Sequence, residues 1–215
     1  MAFENYLKYW NDLYSKQNYF GTGPTKLAKI AEHVLKENQV KKILEIGCGQ
    51  GRDAIHFGKL GYDVDAIDIS KNAIDFITAR ASELNLSRVN ATVHDLDDPL
   101  PYDPESFDFI YSNLALQFFE ISKLESIFKD ISKILKNDSL FLFSTKKEGD
   151  KYYNFGKKVN EYAFENKGII RYFYPIDELK KSLSKSFEIL SFDSDEHKNL
   201  DNTISVWWKI FLKKN

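Results

Sequence analysis

Short apolar runs alternate with amphipathic helical patterns through the first two thirds of the chain. An apolar run within residues 41–46 is typical of a buried strand, and apolar side chains at helical spacing follow it in residues 54–60. The same alternation predicts further strands over residues 62–67, 91–94, 106–113 and 140–144. Strands that alternate with helices indicate a mostly parallel sheet with helices on both faces.

Polar residues mark where several of these elements begin and turn. Ser70 and Ser122 each precede a helical pattern, and we expect both to act as N-caps. Residues 136–139 form the turn into the strand at 140–144, where Asn137 and Asp138 can take the left-handed conformation that a tight turn needs.

The first part of the chain predicts two helices ahead of the sheet. Aromatic side chains at helical spacing predict a helix over residues 3–15, and an apolar stripe predicts a second helix over residues 24–37, with Pro24 in its first turn. We interpret residues 1–23 as an N-terminal aromatic arm that closes over a ligand, although a helix packed on the sheet edge explains the pattern equally well.

The last third is less regular. Residues 176–184 predict a helix, and residues 187–192 and 203–212 predict two strands of an antiparallel hairpin joined by the charged loop 193–202. Before them, residues 146–168 combine polar and aromatic side chains without a clear strand pattern.

Composition limits the classes of function. The chain has 215 residues, 43% of them apolar, and a formal charge of −2, which fits one domain over residues 1–215. The absence of a long basic run argues against nucleic acid, and no apolar segment approaches the roughly 20 residues that span a bilayer. With no leader pattern at the start, we expect a cytoplasmic protein. Its single cysteine excludes an internal disulfide, and we expect no metal site.

The candidate chemistry centres on a turn with three glycines. Gly47, Gly49 and Gly51 separate the first strand from its helix, and such a turn lets a ligand approach the backbone and the free N–H groups of a helix start. Asp68 ends the next strand about 20 residues later, where a carboxylate can accept the hydroxyls of a ribose. The spacing is G-x-G-x-G, whereas the dinucleotide fingerprint is G-x-G-x-x-G. This spacing and the predicted final hairpin disfavour an NAD-linked oxidoreductase, which we keep as the alternative.

Residues 44–53 and 61–70 resemble the first two motifs of the class I S-adenosylmethionine-dependent methyltransferases. Within that superfamily, Gly51-Arg52-Asp53 and Gly61-Tyr62 are similar to the small-molecule group that contains the tellurite-resistance and thiopurine methyltransferases. The resemblance implies a Rossmann-like three-layer sandwich with a seven-stranded, mostly parallel sheet and a C-terminal antiparallel hairpin.

The resemblance also implies S-adenosylmethionine as cofactor, S-adenosylhomocysteine as product, and a set of binding residues. Asp95 and Leu96 match positions that hold the adenine, while Asn113, Leu114 and Gln117 match positions that line the cofactor. The full set comprises Tyr14, Tyr19, Glu45, Gly47, Cys48, Gly49, Gly51, Arg52, Asp68, Ile69, Asp95, Leu96, Asn113, Leu114 and Gln117.

No residue stands out as the catalytic group. Methyl transfer depends mainly on alignment and exclusion of water, and a general base matters only for an acceptor that carries a proton. The family often has His where this chain has Gln117, and the departure leaves no assigned general base there. Asn113, Gln117, Arg171 and His197 are catalytic candidates without an assigned role. We expect a small-molecule acceptor, residues 146–174 as its pocket, and a monomer or weak homodimer. A non-catalytic S-adenosylmethionine-binding protein is a further alternative.

Overall fold

A seven-stranded sheet forms the centre of the molecule. The computed structural model describes residues 2–16 and 18–215, with side chains from Glu4 onward, so the side chain of Phe3 in the predicted first helix lies outside the described residues. In chain order the strands are β1 (Lys42–Ile46), β2 (Asp63–Asp68), β3 (Val89–Val93), β4 (Phe107–Asn113), β5 (Leu135–Lys146), β6 (Lys157–Asn160), β7 (Ala163–Asn166), β8 (Ile169–Tyr172), β9 (Phe187–Lys198) and β10 (Ile204–Lys214). The helices are α1 (Ala2–Tyr14), α2 (Lys26–Glu37), α3 (Arg52–Lys59), α4 (Lys71–Glu83), α5 (Ile121–Ile134) and α6 (Ile176–Leu183), with a 3₁₀ turn at Leu116–Phe118.

The strand order in the large sheet is β3-β2-β1-β4-β5-β10-β9. Strands β1 to β5 are parallel to one another, whereas β10 lies antiparallel between β5 and β9. This confirms the predicted mostly parallel sheet that closes with an antiparallel hairpin.

Two apolar cores cover the two faces of this sheet. On one face, Phe57 of α3 and Ile77 of α4 pack near Tyr111 of β4. On the other face, Phe128 of α5 packs against Phe143 of β5. Alternate residues of each strand point to opposite faces, so the buried strands are apolar on both sides, and the predicted three-layer arrangement is confirmed.

Several predicted boundaries are wrong for local reasons. The third strand ends at Val93, and the His94 N–H donates to the Asp68 carbonyl beyond it. Helix α5 begins at Ile121 after Glu120, so Ser122 lies inside the helix and is not its cap. Helix α2 has Thr25 as N-cap, with its hydroxyl accepting from Ala28 N at 3.0 Å, and Pro24 precedes the helix. The predicted N-cap Ser70 is confirmed, since its hydroxyl accepts from Ala73 N.

Two predicted loops are parts of longer strands. Strand β5 continues through residues 136–139, where its register with β4 shifts, and Asp138 has the predicted left-handed conformation (φ 61°). Strand β9 continues through most of the predicted loop 193–202, up to Lys198. Because β9 is an edge strand, its charged side chains can face solvent, which makes the segment resemble a loop in sequence.

The segment without a clear strand pattern forms a second sheet. Strands β6, β7 and β8 make a three-stranded antiparallel sheet, and each has only four residues. The β7–β8 hairpin turns through Lys167 and Gly168, both with positive φ, as a two-residue hairpin loop requires. Within the described ranges, no helix combines the length and apolarity needed to cross a membrane.

Candidate functional site

A cavity of about 1120 Å³ opens at the carboxyl ends of β1, β2 and β4. Parallel strands bring their C-terminal loops together at this edge, where ligands of open α/β sheets bind. The predicted site residues that line it are Tyr14, Tyr19, Glu45, Gly47, Cys48, Gly49, Arg52, Asp68, Ile69, Asp95, Leu96, Asn113, Leu114, Gln117, Arg171 and His197. The structure thus brings all predicted site residues except Gly51 around one cavity.

The three glycines have different surroundings. A Cβ on Gly47 would lie 2.2 Å from Ala115 Cβ, and one on Gly51 would lie 2.1 Å from Ile77 Cδ1. Those two glycines are therefore required by packing within the chain. Gly49 lines the cavity together with Gly47, and a Cβ on Gly49 would lie 2.8 Å from the Tyr14 hydroxyl.

Asp68 fixes the glycine turn from the end of β2. Its carboxylate accepts hydrogen bonds from Gly49 N at 2.8 Å and from Ser70 N at 2.9 Å. Burial raises the pKa of Asp68, while the bonds from Ser70 and Gly49 act in the opposite direction. The carboxylate also lines the cavity, so free lone pairs can accept hydrogen bonds from a ligand.

Glu45, at the end of β1, is a buried acid with an incomplete set of partners. Its side chain is 3% exposed, and Oε2 has no hydrogen-bond partner among the described residues. Burial raises the pKa of Glu45 well above its ordinary value, and the charge of Asp53 raises it further. Buried polar atoms are usually hydrogen-bonded. Because Glu45 borders the cavity, a ligand there could donate a hydrogen bond to this oxygen.

Asp53 is a structural residue of the site that sequence reasoning missed. It is buried at the start of α3 and accepts from Thr25 N at 2.7 Å, Thr25 Oγ1 at 2.8 Å and Tyr111 Oη at 2.7 Å. This network ties the start of α2 and strand β4 to the glycine turn. The signal in the sequence is an acid in the first helical turn, a common position that does not identify its partners.

The loop after β3 contributes a second group of polar residues. Asp95 Oδ1 accepts from Asp97 N at 2.9 Å, which gives the loop a tight turn that presents Asp95 and Leu96 to the cavity. His94 lines the same wall, and its buried Nε2 has no partner in the described part of the chain.

The end of β4 holds the candidates from the Asn113 region. Asn113 Oδ1 accepts from Ser144 Oγ at 2.6 Å, and Leu114, with φ 55°, donates its N–H to the Ser144 carbonyl. Gln117 is only 4% exposed, and its Oε1 has no partner among residues 2–16 and 18–215. Its amide therefore faces the cavity with an unused acceptor.

Helix α1 closes one side of the cavity. Trp10 stacks on Tyr14 with 5.9 Å between ring centroids, and Asn11 Oδ1 accepts from Ser70 Oγ at 2.8 Å. Gln50 Oε1 accepts from Tyr19 N at 2.9 Å. The aromatic segment is therefore hydrogen-bonded to both α4 and the glycine turn.

Arg52 adds a further link, because its guanidinium donates to the Phe20 carbonyl. This bond and that of Gln50 join the loop after α1 to the residues around the last glycine of the turn. Sequence reasoning missed Gln50, whose side chain carries no signal beyond its place inside the motif.

The opposite side of the cavity comes from the last third of the chain. The Arg171 guanidinium lies over the Tyr152 ring, 4.5 Å from its centroid, and 5.6 Å from the Phe118 centroid. His197 reaches the same cavity from β9. Lys146 forms a buried ion pair of 2.5 Å with Asp150, and burial lowers the pKa of Lys146.

Comparisons with known proteins agree with this geometry. Residues 43–138 match the methyltransferase domain family. The probable S-adenosyl-L-methionine-dependent methyltransferase TehB of Haemophilus influenzae is 32% identical over 92 residues, which are 43% of this chain and 31% of that protein. The chain thus spans about a third of the length of this relative.

Solved structures show the same fold over most of the chain. A methyltransferase from Methanosarcina mazei has a TM-score of 0.73 at 22% identity, with 86% of this chain and 96% of that chain covered. The crystal structure of TehB from Haemophilus influenzae has a TM-score of 0.70 at 21% identity, with 96% and 67% covered.

The matched residues 43–138 include the glycine turn, so this part of the chain is similar to the methyltransferase domain family, and the chain has the fold of solved methyltransferases. The alternative of an NAD-linked oxidoreductase finds no support in the matched domain. The similarity to TehB agrees with the group that the glycine-turn residues indicated.

Proposed function

We propose that this protein transfers a methyl group from S-adenosylmethionine to a small organic acceptor. The observation that carries the proposal is the unpartnered, buried Oε2 of Glu45, which lines the same cavity as Asp68 and Asp95. Three acids around one glycine turn match the amine, hydroxyl and adenine donors of a single nucleoside-containing ligand.

The residues present fit this cofactor. Glu45 would accept from its ammonium group, and Asp68 from its ribose hydroxyls. Asp95 and the Leu96 N–H would hold the adenine, while Gly49 leaves the turn open toward the cavity. The orphaned oxygen of Glu45 is the test of this fit, because a buried acceptor without a donor is costly unless a ligand supplies one.

When bound, S-adenosylmethionine supplies an electrophilic methyl group: the acceptor lone pair bonds to the methyl carbon while the carbon–sulfur bond breaks and leaves its electron pair on sulfur. The chain contributes alignment and a dry enclosure, for which Trp10, Tyr14 and Phe118 provide aromatic walls. The amide of Gln117 is not a base at neutral pH, and Asn113 is engaged with Ser144. Neither of these two side chains can therefore take a proton from the acceptor.

We assign the two flanking segments to the two ends of this cavity. Residues 1–23 act as a lid on the cofactor, which the contact of Tyr14 with the glycine turn supports. Residues 146–174 wall the acceptor pocket, a role supported by Tyr152 and Arg171 at the cavity. A cytoplasmic location and a monomer or weak homodimer stay predictions.

Calorimetry tests the proposal. The purified protein should bind S-adenosylmethionine and S-adenosylhomocysteine but not NAD, and Glu45→Gln should bind both sulfur compounds more weakly. A screen of metabolites for S-adenosylhomocysteine release then separates an enzyme from a non-catalytic binder, which would bind the cofactor and release nothing. Binding of NAD without binding of S-adenosylhomocysteine would overturn the assignment.

A further inference from the structure

One end of the cavity is rich in cations and aromatic rings, and we call it the basic end. Its residues are Phe118, Lys151, Tyr152, Arg171, His197 and Trp207. A run of aromatic contacts separates it from the glycine turn: Tyr14 stacks on Trp10, Trp10 packs edge-on against Phe118, and Arg171 lies beyond Phe118. The basic end is therefore distinct from the part of the cavity assigned to the cofactor.

Most carboxylates that line the cavity lie on its glycine-turn side, together with the cations Arg52 and Lys123. The carboxylates at the glycine-turn side belong to Glu45, Asp53, Asp68, Asp95 and Asp97. Among residues 2–16 and 18–215, neither Arg171 nor Lys151 forms an ion pair, although Lys146 beside them is neutralised by Asp150. The remaining lining carboxylate, Glu120, is exposed at the start of α5. Within the described part of the chain, these two cations thus face a shared space with no carboxylate at ion-pair distance, although the charge of Lys151 acts on Asp201 outside the cavity.

Two aromatic rings position the guanidinium of Arg171 so that it can bind a planar anion. Tyr152 covers it at 4.5 Å, and Phe118 lies at 5.6 Å. Stacking uses the face of a guanidinium and leaves its N–H groups at the edge, which match the two oxygens of a carboxylate. Lys151 lies 5.5 Å from the same Tyr152 ring, so a second donor is close by.

The size of the cavity indicates that the anion is one group of a larger ligand. Sites for one small ligand usually occupy about 300–1,000 Å³, and this cavity measures about 1120 Å³. It therefore exceeds the usual volume of a single-ligand site. Aromatic rings at the basic end favour an apolar or aromatic body over a bare inorganic ion.

Building on the proposed function, we propose that the methyl acceptor is an organic acid whose carboxylate binds Arg171 and Lys151 at the basic end. Its apolar body lies against Phe118, Tyr152 and Trp207, and its nucleophilic atom points away from the carboxylate, toward the cofactor. The acid group is then an anchor, and a different atom accepts the methyl group.

Benzoate and its neutral isostere benzamide test the anchor directly. Both are titrated into protein saturated with S-adenosylhomocysteine, and binding is measured by calorimetry. Benzoate should bind about tenfold tighter or more, as expected for a charge-assisted bidentate contact. Arg171→Met should remove this preference, Lys151→Met should reduce it, and Arg171→Lys should retain part of it.

Lys147→Met is the matched control, because Lys147 lies over the Trp208 ring at 4.1 Å but outside this cavity. It should leave the preference for benzoate unchanged. Binding of S-adenosylhomocysteine and thermal unfolding are measured for every variant, so a folding defect is recognised, and Lys151→Met still tests the anchor if Arg171→Met does not fold.

Equal binding of benzoate and benzamide, no binding of either, or a preference that survives both Arg171→Met and Lys151→Met would overturn the proposal. Displacement of benzoate by selenite at comparable concentration would also overturn it, by assigning the cations to an inorganic oxyanion. Failure to bind S-adenosylhomocysteine is a different result, since it contradicts the proposed function before benzoate is added.

Discussion

The hydroxyl of Tyr14 lies 2.8 Å from the point that a Cβ on Gly49 would occupy. The last residue of α1 therefore rests on Gly49, which lines the cavity. This contact joins the N-terminal arm to the glycine turn. It makes Gly49 subject to two constraints, the conformation of its own backbone and the space below Tyr14.

Gly49→Ala separates these two constraints. With φ at 53°, the substitution carries a backbone cost of about 1–2 kcal/mol in addition to the contact with Tyr14. We expect the loss in free energy of unfolding, measured with urea, to be larger in the wild-type background than in Tyr14→Ala.

Gly61→Ala is the control for that experiment. Gly61 has φ 92° and no atom within 4 Å of its Cβ position, so only the backbone cost applies. Gly61→Ala should destabilise the protein equally with and without Tyr14→Ala. If Gly49→Ala also costs the same in both backgrounds, the arm does not rest on the turn in solution.

Asp68 should contribute to affinity both directly and through the turn. Asp68→Ala removes an ionised acceptor, which is worth about 1.5–3 kcal/mol, and it frees the Gly49 N–H that Asp68 holds at 2.8 Å. Calorimetry should show weaker binding of S-adenosylhomocysteine for Asp68→Ala than for Asp68→Asn, which keeps one acceptor oxygen. Equal affinity of wild type and Asp68→Ala would remove Asp68 from the proposed site.

The buried network around Asp53 should stabilise the fold. Tyr111→Phe removes a hydrogen bond of 2.7 Å to Asp53, and such a loss costs about 1–3 kcal/mol. For a chain of this size, that lowers the melting temperature by about 2–4 °C per kcal/mol. Tyr102→Phe is the control, since the Tyr102 ring packs on Phe107 and its hydroxyl has no hydrogen bond within the described ranges. Equal melting temperatures for the two variants would contradict the network.

The parts of the site that follow one another in the chain could be predicted from the sequence. The glycine turn lies between β1 and α3, so one local pattern places Glu45, Gly49 and the helix start together. The position of Asp68 could also be predicted, because parallel strands of similar length end at the same edge of a sheet.

The parts that depend on distant pairings could not be predicted. Asp53 meets Thr25 and Tyr111, which are 28 and 58 residues away, and no local pattern records such contacts. The basic end likewise depends on where β8 and β9 come to lie. The strands of the small sheet have four residues each, which is too short for alternation to stand out.

Cys48 should be an unreactive thiol. Burial raises its pKa well above the ordinary value, and the charges of Asp68 and Glu45 raise it further, so the nucleophilic thiolate is suppressed. Iodoacetamide should alkylate the native protein at least about tenfold more slowly than the urea-unfolded chain. Because Cys48 is the single cysteine, mass spectrometry of the intact protein measures the rate of its alkylation. Rapid alkylation of the native protein would show an accessible thiolate.

Glu45 should make stability depend on pH. Its pKa is raised above 4.5 in the folded state, mainly by burial, so folding takes up a proton between pH 4.5 and the raised pKa. The free energy of unfolding therefore falls as pH rises through that window and levels off above it. Urea unfolding across a pH series should show that Glu45→Gln lacks this fall and gains stability relative to wild type. Parallel curves for the two proteins would show that Glu45 does not titrate in this way.

Binding of S-adenosylhomocysteine should release the proton that Glu45 holds. The ammonium group of the ligand favours the ionised carboxyl, so below the raised pKa each binding event transfers a proton to the buffer. Calorimetry in two buffers with different protonation enthalpies should then give different apparent enthalpies for wild type and a smaller difference for Glu45→Gln. Any release that remains in the variant belongs to Asp68, whose pKa burial also raises. An enthalpy that is independent of the buffer in wild type would place the ammonium group away from Glu45.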